Sequence, residues 1–251
     1  MRFTSKLLRG TLIQRYQRFL ADVRLPTGEI VTAHCTNTGS MTGCKEPGSV
    51  VYISRSNKTT RRLLYTWEII GVGRTWVGIN TMHPNILVAE AIANGAISEL
   101  IGYDNIRREV VTRKGTRLDL CLEGDSGSCF VEVKNVTLAV NGAAAFPDAV
   151  SERGTKHLKE LMWLRRSGHR AAVVFVIQRN DCTFFRPADE IDAEYGRWLR
   201  RAVKAGVEAL PYVAYVTSKE IVIKERLPIR LETQKETGWH RKLPPRLIKP
   251  D

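Results

Sequence analysis

The sequence lacks the marks of several specialised protein classes. Its five cysteines are an odd number and contain no CxxC pair, which argues against a structural zinc site and against a disulfide framework. No apolar run approaches the roughly 20 residues that a membrane-spanning helix needs. The first residues have neither the apolar core nor the cleavage site of a signal peptide. We therefore expect a cytoplasmic protein without a membrane partner.

Several nucleotide-related motifs are also missing. The chain contains no P-loop and no GxGxxG fingerprint, which counts against a sensor of nucleotides or sugars. No helix-turn-helix pattern stands out, which counts against the commonest mode of sequence-specific DNA recognition.

Acidic residues are scarce relative to basic ones. The chain has 39 Lys and Arg against 26 Asp and Glu, a formal net charge of +13. Such an excess favours a polyanionic partner, because each Lys or Arg placed on a phosphate releases counterions. Solubility alone is the alternative. The hydrophobic content of 43% is that of an ordinary globular protein, so we expect a folded chain that binds nucleic acid.

The pattern of secondary structure changes near residue 82. Residues 1–82 contain about five short strand-like runs separated by turns, which predicts a small β-barrel. The runs cover residues 19–25, 29–35, 48–56, 61–73 and 75–80. Residues 83–232 predict an α/β or α+β domain with a mixed sheet, because helices and strands are interspersed there. Residues 233–251 are polar, basic and proline-rich, and we expect a mobile tail. The oligomeric state is left open, a homodimer included.

Three helices are expected in the second part. The first begins at Ile86 and extends to about residue 103. The second begins at Asp148, which can cap its start, and ends just before Gly168. The third covers about residues 188–206.

A basic segment lies between two predicted strands of the barrel. Within SRSNKTTRR (54–62), four basic residues occur without an acid: Arg55, Lys58, Arg61 and Arg62. Beside the face of a barrel, such a loop would suit a phosphate backbone. As a solvated loop it needs no function, and both interpretations stay open.

The most informative segment is GTRLDLCLEGDSGSCFVEVKNVTL (115–138), which predicts a β-hairpin. In the register that the turn EGDSGS sets, Asp119 lies directly opposite Glu132. Side chains alternate along a strand, so one face is expected to be apolar and buried. That face carries Leu118, Leu120, Leu122, Val131 and Val133, and the other carries Arg117, Asp119, Glu132 and Lys134.

Two facing carboxylates repel each other unless a cation lies between them. Mg²⁺ or Mn²⁺ is the natural candidate at Asp119 and Glu132, since hard cations bind carboxylate oxygens. A bound ion would activate a water for phosphodiester hydrolysis, and Lys134 could orient that water. The alternative is a solvated network in which Arg117 and Lys134 neutralise the two acids.

Glu90 is the only charged residue within ILVAEAIA, a stretch that is apolar around the whole predicted helix. Such a helix is normally buried, and a buried glutamate needs a partner. Glu90 is therefore a candidate third metal ligand or an acid that supports the ligands. The alternative is that Glu90 lies at the helix edge and reaches solvent.

The second helix carries a polar stripe, because Arg153, Lys156, His157 and Glu160 recur three or four residues apart. The basic members could hold the scissile phosphate or its neighbours, or they could form a charged outer face. His157 lies toward the apolar side of this helix, which makes it a weaker candidate for a catalytic base.

Four segments resemble a known bacterial family. TLIQRYQRFLADV, HCTNTGSMTGC, FVEVKNVTL and FPDAVSERGTKHLKEL are similar to segments of the sugar fermentation stimulation protein A (SfsA) family, and the likeness extends from about residue 8 to 230. The order of helices and strands also resembles the core of PD-(D/E)xK nucleases. Arg117-Leu118-Asp119 lacks the proline that names this superfamily.

The resemblance implies an N-terminal OB-fold barrel, a nuclease-like domain, DNA as partner and a role in regulating sugar-utilisation genes. Matched residue by residue, it implies Asp119, Glu132 and Lys134 as the core set, with Glu90 as the helix acid. A nuclease-type site does not by itself imply turnover. A metal-dependent nuclease and a DNA-binding regulator that retains the site are both open hypotheses.

Overall fold

The structure, a computed structural model, describes residues 1–58, 60–113, 115–125 and 127–232. The basic tail predicted over 233–251 lies outside the described residues. None of the helices within these ranges is long and apolar enough to cross a membrane.

The first part of the chain forms a closed five-stranded barrel with a sixth strand at one edge. Its strands are β1 (Leu8–Tyr16), β2 (Leu20–Arg24), β3 (Ile30–His34), β4 (Val50–Arg55), β5 (Tyr65–Val72) and β6 (Thr75–Gly78). They are ordered β3-β2-β1-β4-β5-β6, and a parallel pairing of β3 with β5 closes the barrel. Every second side chain of β2 and β3 is buried, because these strands turn one face toward the barrel core. This is the Greek-key arrangement of an OB fold.

Strand β1 was not expected from the sequence, although it pairs with both β2 and β4. Only two of its nine residues are buried. Its pairing with β2 also shifts register between Leu12 and Gln14. An exposed strand that contains an irregularity has no clean alternation of apolar residues, so its sequence gives a weak signal.

The second part of the chain contains the remaining elements. The helices are α1 (Pro84–Ala93), α2 (Glu152–Arg166) and α3 (Ala193–Lys204). The strands are β7 (Asn105–Val111), β8 (Arg117–Gly124), β9 (Gly127–Val136), β10 (Leu138–Val140), β11 (Ala143–Phe146), β12 (Arg170–Ile177), β13 (Phe184–Pro187), β14 (Glu208–Val216) and β15 (Ile221–Arg226).

Six of these strands form a mixed sheet in the order β15-β14-β12-β9-β8-β7. The three central strands are parallel, and the flanking pairs are antiparallel. Helix α1 packs on one face of the sheet, and helices α2 and α3 pack on the other. Strands β10, β11 and β13 form a separate small sheet. Because both faces of the main sheet are covered, a charged side chain on its central strands is buried.

The predicted helix ends need three corrections. The simplest concerns α3, which begins at Ala193 rather than at about residue 188. Helix α1 ends at Ala93, well before residue 103, and the left-handed Gly95 follows it. Helix α2 begins at Glu152, and Ser151 caps it by accepting a hydrogen bond from the Gly154 N–H. Asp148 is therefore not the cap. The expected stop before Gly168 is confirmed, since α2 ends at Arg166 and Gly168 has a positive φ.

The barrel and the mixed sheet are in close contact where β6 meets the end of β12. The Gly78 N–H donates a 2.9 Å hydrogen bond to the Gln178 carbonyl. A Cβ atom at position 78 would lie only 2.4 Å from the Gln178 side-chain oxygen, so this approach requires glycine. The contact holds the barrel directly beside the strands that carry the acidic pair.

Candidate metal and nucleic-acid site

The hairpin of β8 and β9 has the predicted register. Glu123 pairs with Ser128 and Leu120 pairs with Val131, so the next residues along are Asp119 and Glu132. The regular pairing stops there, because the Asp119 carboxylate accepts a 2.8 Å hydrogen bond from the Val133 N–H. A side chain thus takes the place of a backbone partner at the end of the ladder.

Asp119 connects the hairpin to helix α1. Its second carboxylate oxygen accepts a 2.8 Å hydrogen bond from the Asn85 amide, at the first turn of the helix. Burial raises the pKa of Asp119, and the neighbouring charge of Glu132 raises it further. The two hydrogen bonds oppose this shift without cancelling it. Asp119 is therefore a carboxylate held in a place that disfavours its negative charge.

Glu132 lies under helix α2 and is only 3% exposed. Its Oε1 accepts a 2.6 Å hydrogen bond from Lys134 Nζ and contacts His157 Nδ1. Burial acts to raise the pKa of Glu132, but Lys134 and His157 together hold it below the usual value. Its Oε2 is buried and has no hydrogen-bond partner among the described residues.

The five apolar residues of the hairpin are all buried, as expected, but they do not all face the same core. Leu118 belongs to the core under α2, whereas Leu120 and Leu122 belong to the core under α1. The face of Glu132 is therefore also covered. A solvated ion network is excluded by this burial, and Arg117 instead pairs with the exposed Glu109 at 3.3 Å.

The sequence predicted that His157 contacts a phosphate backbone. The structure does not place it for such a contact, because its side chain is only 5% exposed. The Arg153 Nε lies 3.5 Å from His157 Nε2, and on the other side of the ring the ionised Glu132 carboxylate can only accept a hydrogen bond. His157 Nδ1–H therefore donates to Glu132. Its place is beside the acidic pair, as a group that orients one of the carboxylates.

Glu90 is not part of this cluster. Its carboxylate lies 2.6 Å from the amino group of Met1, and its side chain is 51% exposed. The premise that Glu90 is buried is wrong, because the outer edge of α1 faces the N-terminal segment and solvent. The geometry gives no support to Glu90 as a ligand.

The other basic candidates are exposed on two surfaces. Arg55, Lys58, Arg61 and Arg62 lie at the end of β4 and in the β4–β5 loop, and Arg153 and Lys156 lie on α2. The Arg61 guanidinium donates to the Thr66 hydroxyl at 3.3 Å. Arg55, Lys58 and Arg62 have no side-chain partner within the described ranges. In OB folds this loop is one of those that contact oligonucleotides.

Comparison with known proteins identifies the family. Residues 13–79 match the model described as SfsA N-terminal OB domain, and residues 82–220 match the Sugar fermentation stimulation protein RE domain. The chain belongs to the sugar fermentation stimulation protein family. The predicted fold class, an OB-like barrel followed by a nuclease-like mixed-sheet domain, is therefore confirmed.

Relatives of this family match nearly the whole chain. The sugar fermentation stimulation protein homolog of Geobacter sulfurreducens is 58% identical over 89% of this chain and 96% of its own length. The homolog of Geobacter metallireducens is 55% identical over 92% of this chain and 100% of its own. The structure of Pyrococcus furiosus SfsA in complex with Ca²⁺ has 29% identity and a TM-score of 0.84, covering 92% of this chain and 98% of that one.

The residues around the acidic pair fit a hydrated divalent ion better than a closed metal cage. In the part of the chain that the structure describes, no group of three or more His, Cys, Asp and Glu residues could hold a metal ion. Mg²⁺ commonly binds through one or two carboxylates and keeps several waters. Asp119 and Glu132 supply two carboxylates, and the unpartnered Glu132 Oε2 is an oxygen without another role.

Sequence analysis missed two residues beside the acidic pair. Asn85 bonds Asp119 across 34 positions of sequence, and no local pattern signals such a contact. Tyr195 on α3 is fully buried, and its hydroxyl has no partner among the described residues. Burial raises the pKa of Tyr195 well above its usual value, and the charge of Glu132 adds to this.

Proposed function

We propose that this protein is a nucleic-acid-binding phosphodiester hydrolase, with DNA as the first partner to test, that works with Mg²⁺ or Mn²⁺ at Asp119 and Glu132. The observation that carries the proposal is the buried Glu132. Its Oε1 is fixed by Lys134 and His157, and its Oε2 is left without a partner. A buried carboxylate oxygen without a partner is costly, and a cation relieves that cost.

Each side chain then has a distinct task. A divalent ion would supply an activated water and would offset charge on the phosphate. Asn85 and the Val133 N–H hold the Asp119 carboxylate in place, and His157 holds Glu132. The Lys134 ammonium stands 2.6 Å from Glu132 Oε1, where it can orient a water or a phosphate oxygen.

Nucleic acid would bind across both parts of the protein. We assign residues 1–82 to a nucleic-acid-binding barrel and residues 83–232 to the nuclease-like domain. Arg55, Lys58, Arg61 and Arg62 would contact the backbone at the barrel, and Arg153 and Lys156 would contact it near the acidic pair. The Pyrococcus furiosus SfsA structure is a complex with Ca²⁺, which supports a divalent cation in this family.

A DNA-binding regulator of sugar-utilisation genes that does not cleave is the second candidate. The observation in its favour is that Lys134 and His157 already neutralise one oxygen of Glu132 without an ion. Such a protein would bind DNA with a strong dependence on salt and little dependence on sequence.

The decisive experiment incubates labelled single- and double-stranded DNA and RNA with the protein and Mg²⁺ or Mn²⁺. Lys134→Ala should lower cleavage by at least about 100-fold, since an electrostatic contributor of this kind is typically worth that much. Lys224→Ala is the matched control, because Lys224 is an exposed lysine on β15 of the same sheet. No metal-dependent cleavage by the wild type, or equal cleavage by Lys134→Ala, would exclude the hydrolase.

If no cleavage is found, a binding assay shows whether the protein is a DNA-binding regulator or whether both candidate functions are wrong. Arg61→Glu with Arg62→Glu should weaken binding and reduce its salt dependence, while Lys224→Glu with Lys204→Glu should change it little. Binding without cleavage supports the regulator. Binding that ignores salt would contradict both candidates.

A further inference from the structure

A small pocket lies where the barrel meets the end of β9. Its volume is about 70 Å³. The barrel contributes Asn37 and Thr81, and the second part contributes Asn135, Val136, Thr137, Leu138, Ala145, Phe146 and Asp148. The segments NTGSM and FPDAV, which the proposed chemistry leaves without a task, therefore meet at this pocket.

Two amide groups of the pocket have their oxygens occupied and their nitrogens free. The Asn37 Oδ1 accepts a 2.9 Å hydrogen bond from the Gly39 N–H. The Asn135 Oδ1 accepts a 2.7 Å hydrogen bond from the Gln178 amide. Neither Nδ2 has a partner within the described part of the chain. Both residues therefore offer hydrogen-bond donors.

Two further residues offer acceptors. Asp148 uses Oδ2 to accept hydrogen bonds from the Met41 N–H and the Ser40 hydroxyl, each at 3.2 Å. Its Oδ1 has no hydrogen-bond partner among the described residues. Thr137 is only 5% exposed, and its hydroxyl likewise makes no bond to any residue that the structure describes. Four polar groups with spare bonding capacity thus line one pocket.

This combination selects the chemistry of the ligand. A phosphate would be repelled by the Asp148 carboxylate, and a metal ion would meet amide nitrogens that cannot coordinate it. A hydroxyl group both donates and accepts, so it suits an acceptor beside two donors. A water takes up about 30 Å³ in the liquid, so 70 Å³ holds about two water-sized groups. That is room for the hydroxyl-bearing edge of a pentose and too little for a nucleobase with its sugar.

The pocket also lies along β9, the strand that carries Glu132 and Lys134. Val136 lines the pocket and belongs to the core under α2, the face on which Glu132 and Lys134 lie. Val136 is two residues beyond Lys134, and two residues span about 6–7 Å along a strand. A nucleotide whose phosphate lies at Lys134 would have its sugar within reach of the pocket.

We propose that this pocket binds a sugar hydroxyl of the nucleotide whose phosphate lies at Asp119 and Glu132. The inference rests on the proposed function and adds a specificity to it. The hydroxyl donates to Asp148 Oδ1 and accepts from the Asn37 and Asn135 amides. It can come from the 2′ position of a ribose or from the 3′ end of a chain.

The test compares four short single-stranded oligonucleotides of one sequence, bound in the presence of Ca²⁺ and measured by fluorescence anisotropy. Their 3′-terminal sugars are ribose, 2′-deoxyribose, 3′-deoxyribose and 2′,3′-dideoxyribose. Loss of a hydroxyl that donates to a carboxylate should weaken binding by about tenfold or more. The 2′-deoxy and 3′-deoxy forms identify which hydroxyl is held.

Two variants show whether the pocket is responsible. Asp148→Asn keeps the acceptor for Met41 and Ser40 but turns a donor toward the pocket, and Thr137→Val removes one hydroxyl at constant size. Asp148→Asn should abolish the preference for the hydroxylated sugar, and Thr137→Val, which removes a neighbouring polar group of the pocket, should reduce it. Both should leave the affinity for the dideoxy form unchanged. Ser40→Ala is the control, because it removes the hydrogen bonds from the Ser40 hydroxyl to the carbonyl and Oδ2 of Asp148 without altering a residue that lines the pocket.

Three results would overturn this inference and leave the proposed function intact. They are equal binding of all four oligonucleotides, a preference that survives in both variants, and a loss of affinity in the variants that is equal for every sugar. The last would mean that Asp148 only supports the fold. Failure of every oligonucleotide to bind, at low as well as physiological salt, would overturn the proposed function together with this inference.

Discussion

Two buried glutamates in this protein have similar surroundings and different consequences. Glu68, at the junction of the barrel with the second part, is 4% exposed, and Glu132 in the mixed sheet is 3% exposed. Each is near a histidine, His83 or His157. Burial and a histidine neighbour therefore do not distinguish a structural carboxylate from a functional one.

The two glutamates differ in how their oxygens are used. Glu68 accepts from Ser54 at 2.6 Å on Oε1, and from Asn80 at 2.7 Å on Oε2. Glu132 concentrates both of its partners on Oε1 and leaves Oε2 without one. A carboxylate with both oxygens satisfied stabilises the fold, whereas one with a free buried oxygen can bind an ion.

The largest effect is expected from Glu68→Ala. It leaves the Ser54 hydroxyl and the Asn80 amide without their buried acceptor, which should cost about 3 kcal/mol or more. At about 2–4 °C for each kcal/mol, the thermal midpoint should fall by roughly 10 °C. Calorimetry measures this, with Glu220→Ala on the surface as control. Unchanged stability would mean that the satisfied carboxylate is not structural.

Glu132→Gln should show the opposite behaviour. Its amide oxygen can still accept from Lys134 and His157, so stability should change little. The affinity for Mn²⁺, measured by titration calorimetry, should fall by about 10- to 100-fold, because a charged ligand oxygen is lost. If Glu132→Gln unfolded as easily as Glu68→Ala and still bound Mn²⁺, the distinction between the two glutamates would be lost.

Asp119→Asn should raise stability while it removes metal binding. The pKa of Asp119 is raised by burial and by Glu132, so its carboxylate form is disfavoured in the folded protein. The penalty is absent below the unfolded pKa near 3.8 and grows as the pH rises through the folded value. An asparagine can accept from Val133, and the Asn85 amide can turn to meet it.

Thermal unfolding should therefore show a midpoint for Asp119→Asn a few degrees above that of the wild type at pH 7. The difference should shrink as the pH falls below the folded pKa and should be nearly absent at about pH 2.5, where Asp119 is protonated in both states. A lower midpoint for the variant at pH 7 would show that hydrogen bonding of the carboxylate outweighs its burial and its repulsion by Glu132.

The hairpin shows what local sequence predicts well in this molecule. The turn EGDSGS and the alternating apolar residues determine the register of β8 and β9, and Asp119 and Glu132 come to the same level as expected. Both signals act within about 20 residues, so they are visible without knowledge of the rest of the chain. The barrel strands β2 to β6 were predicted for the same reason.

Contacts between distant segments explain what was missed. The cover over Glu132 comes from α2, and the partner of Asp119 comes from α1, at separations that local patterns do not encode. Glu90 illustrates the error in the opposite direction. Apolar residues all around α1 predicted burial, but the N-terminal segment leaves the outer edge of the helix partly open, and Glu90 is there.

The histidine beside Glu68 supplies a pH test of the satisfied network. Burial lowers the pKa of His83 below its usual 6.5, and the amino group of Met1 adds to this, while Glu68 opposes it. The folded state therefore binds fewer protons than the unfolded state below about pH 6.5, and stability falls as the pH drops from there toward the folded pKa. His83→Gln should flatten this part of the profile, which unfolding by denaturant between pH 7 and pH 5 measures. An identical slope in both proteins would contradict the assignment.

The smallest effect is expected at Tyr195, whose buried hydroxyl has no partner in the described part of the chain. Tyr195→Phe removes an unsatisfied group, so stability should stay constant or rise by up to about 1 kcal/mol. Tyr212 is the matched contrast, because it is also buried but its hydroxyl donates to Glu99, and Tyr212→Phe should cost about 1–2 kcal/mol. Denaturant unfolding of the two variants gives both values. A fall in Mn²⁺ affinity for Tyr195→Phe would mean that this hydroxyl holds Glu132 Oε2, and the free oxygen that separates Glu132 from Glu68 would then have a protein partner.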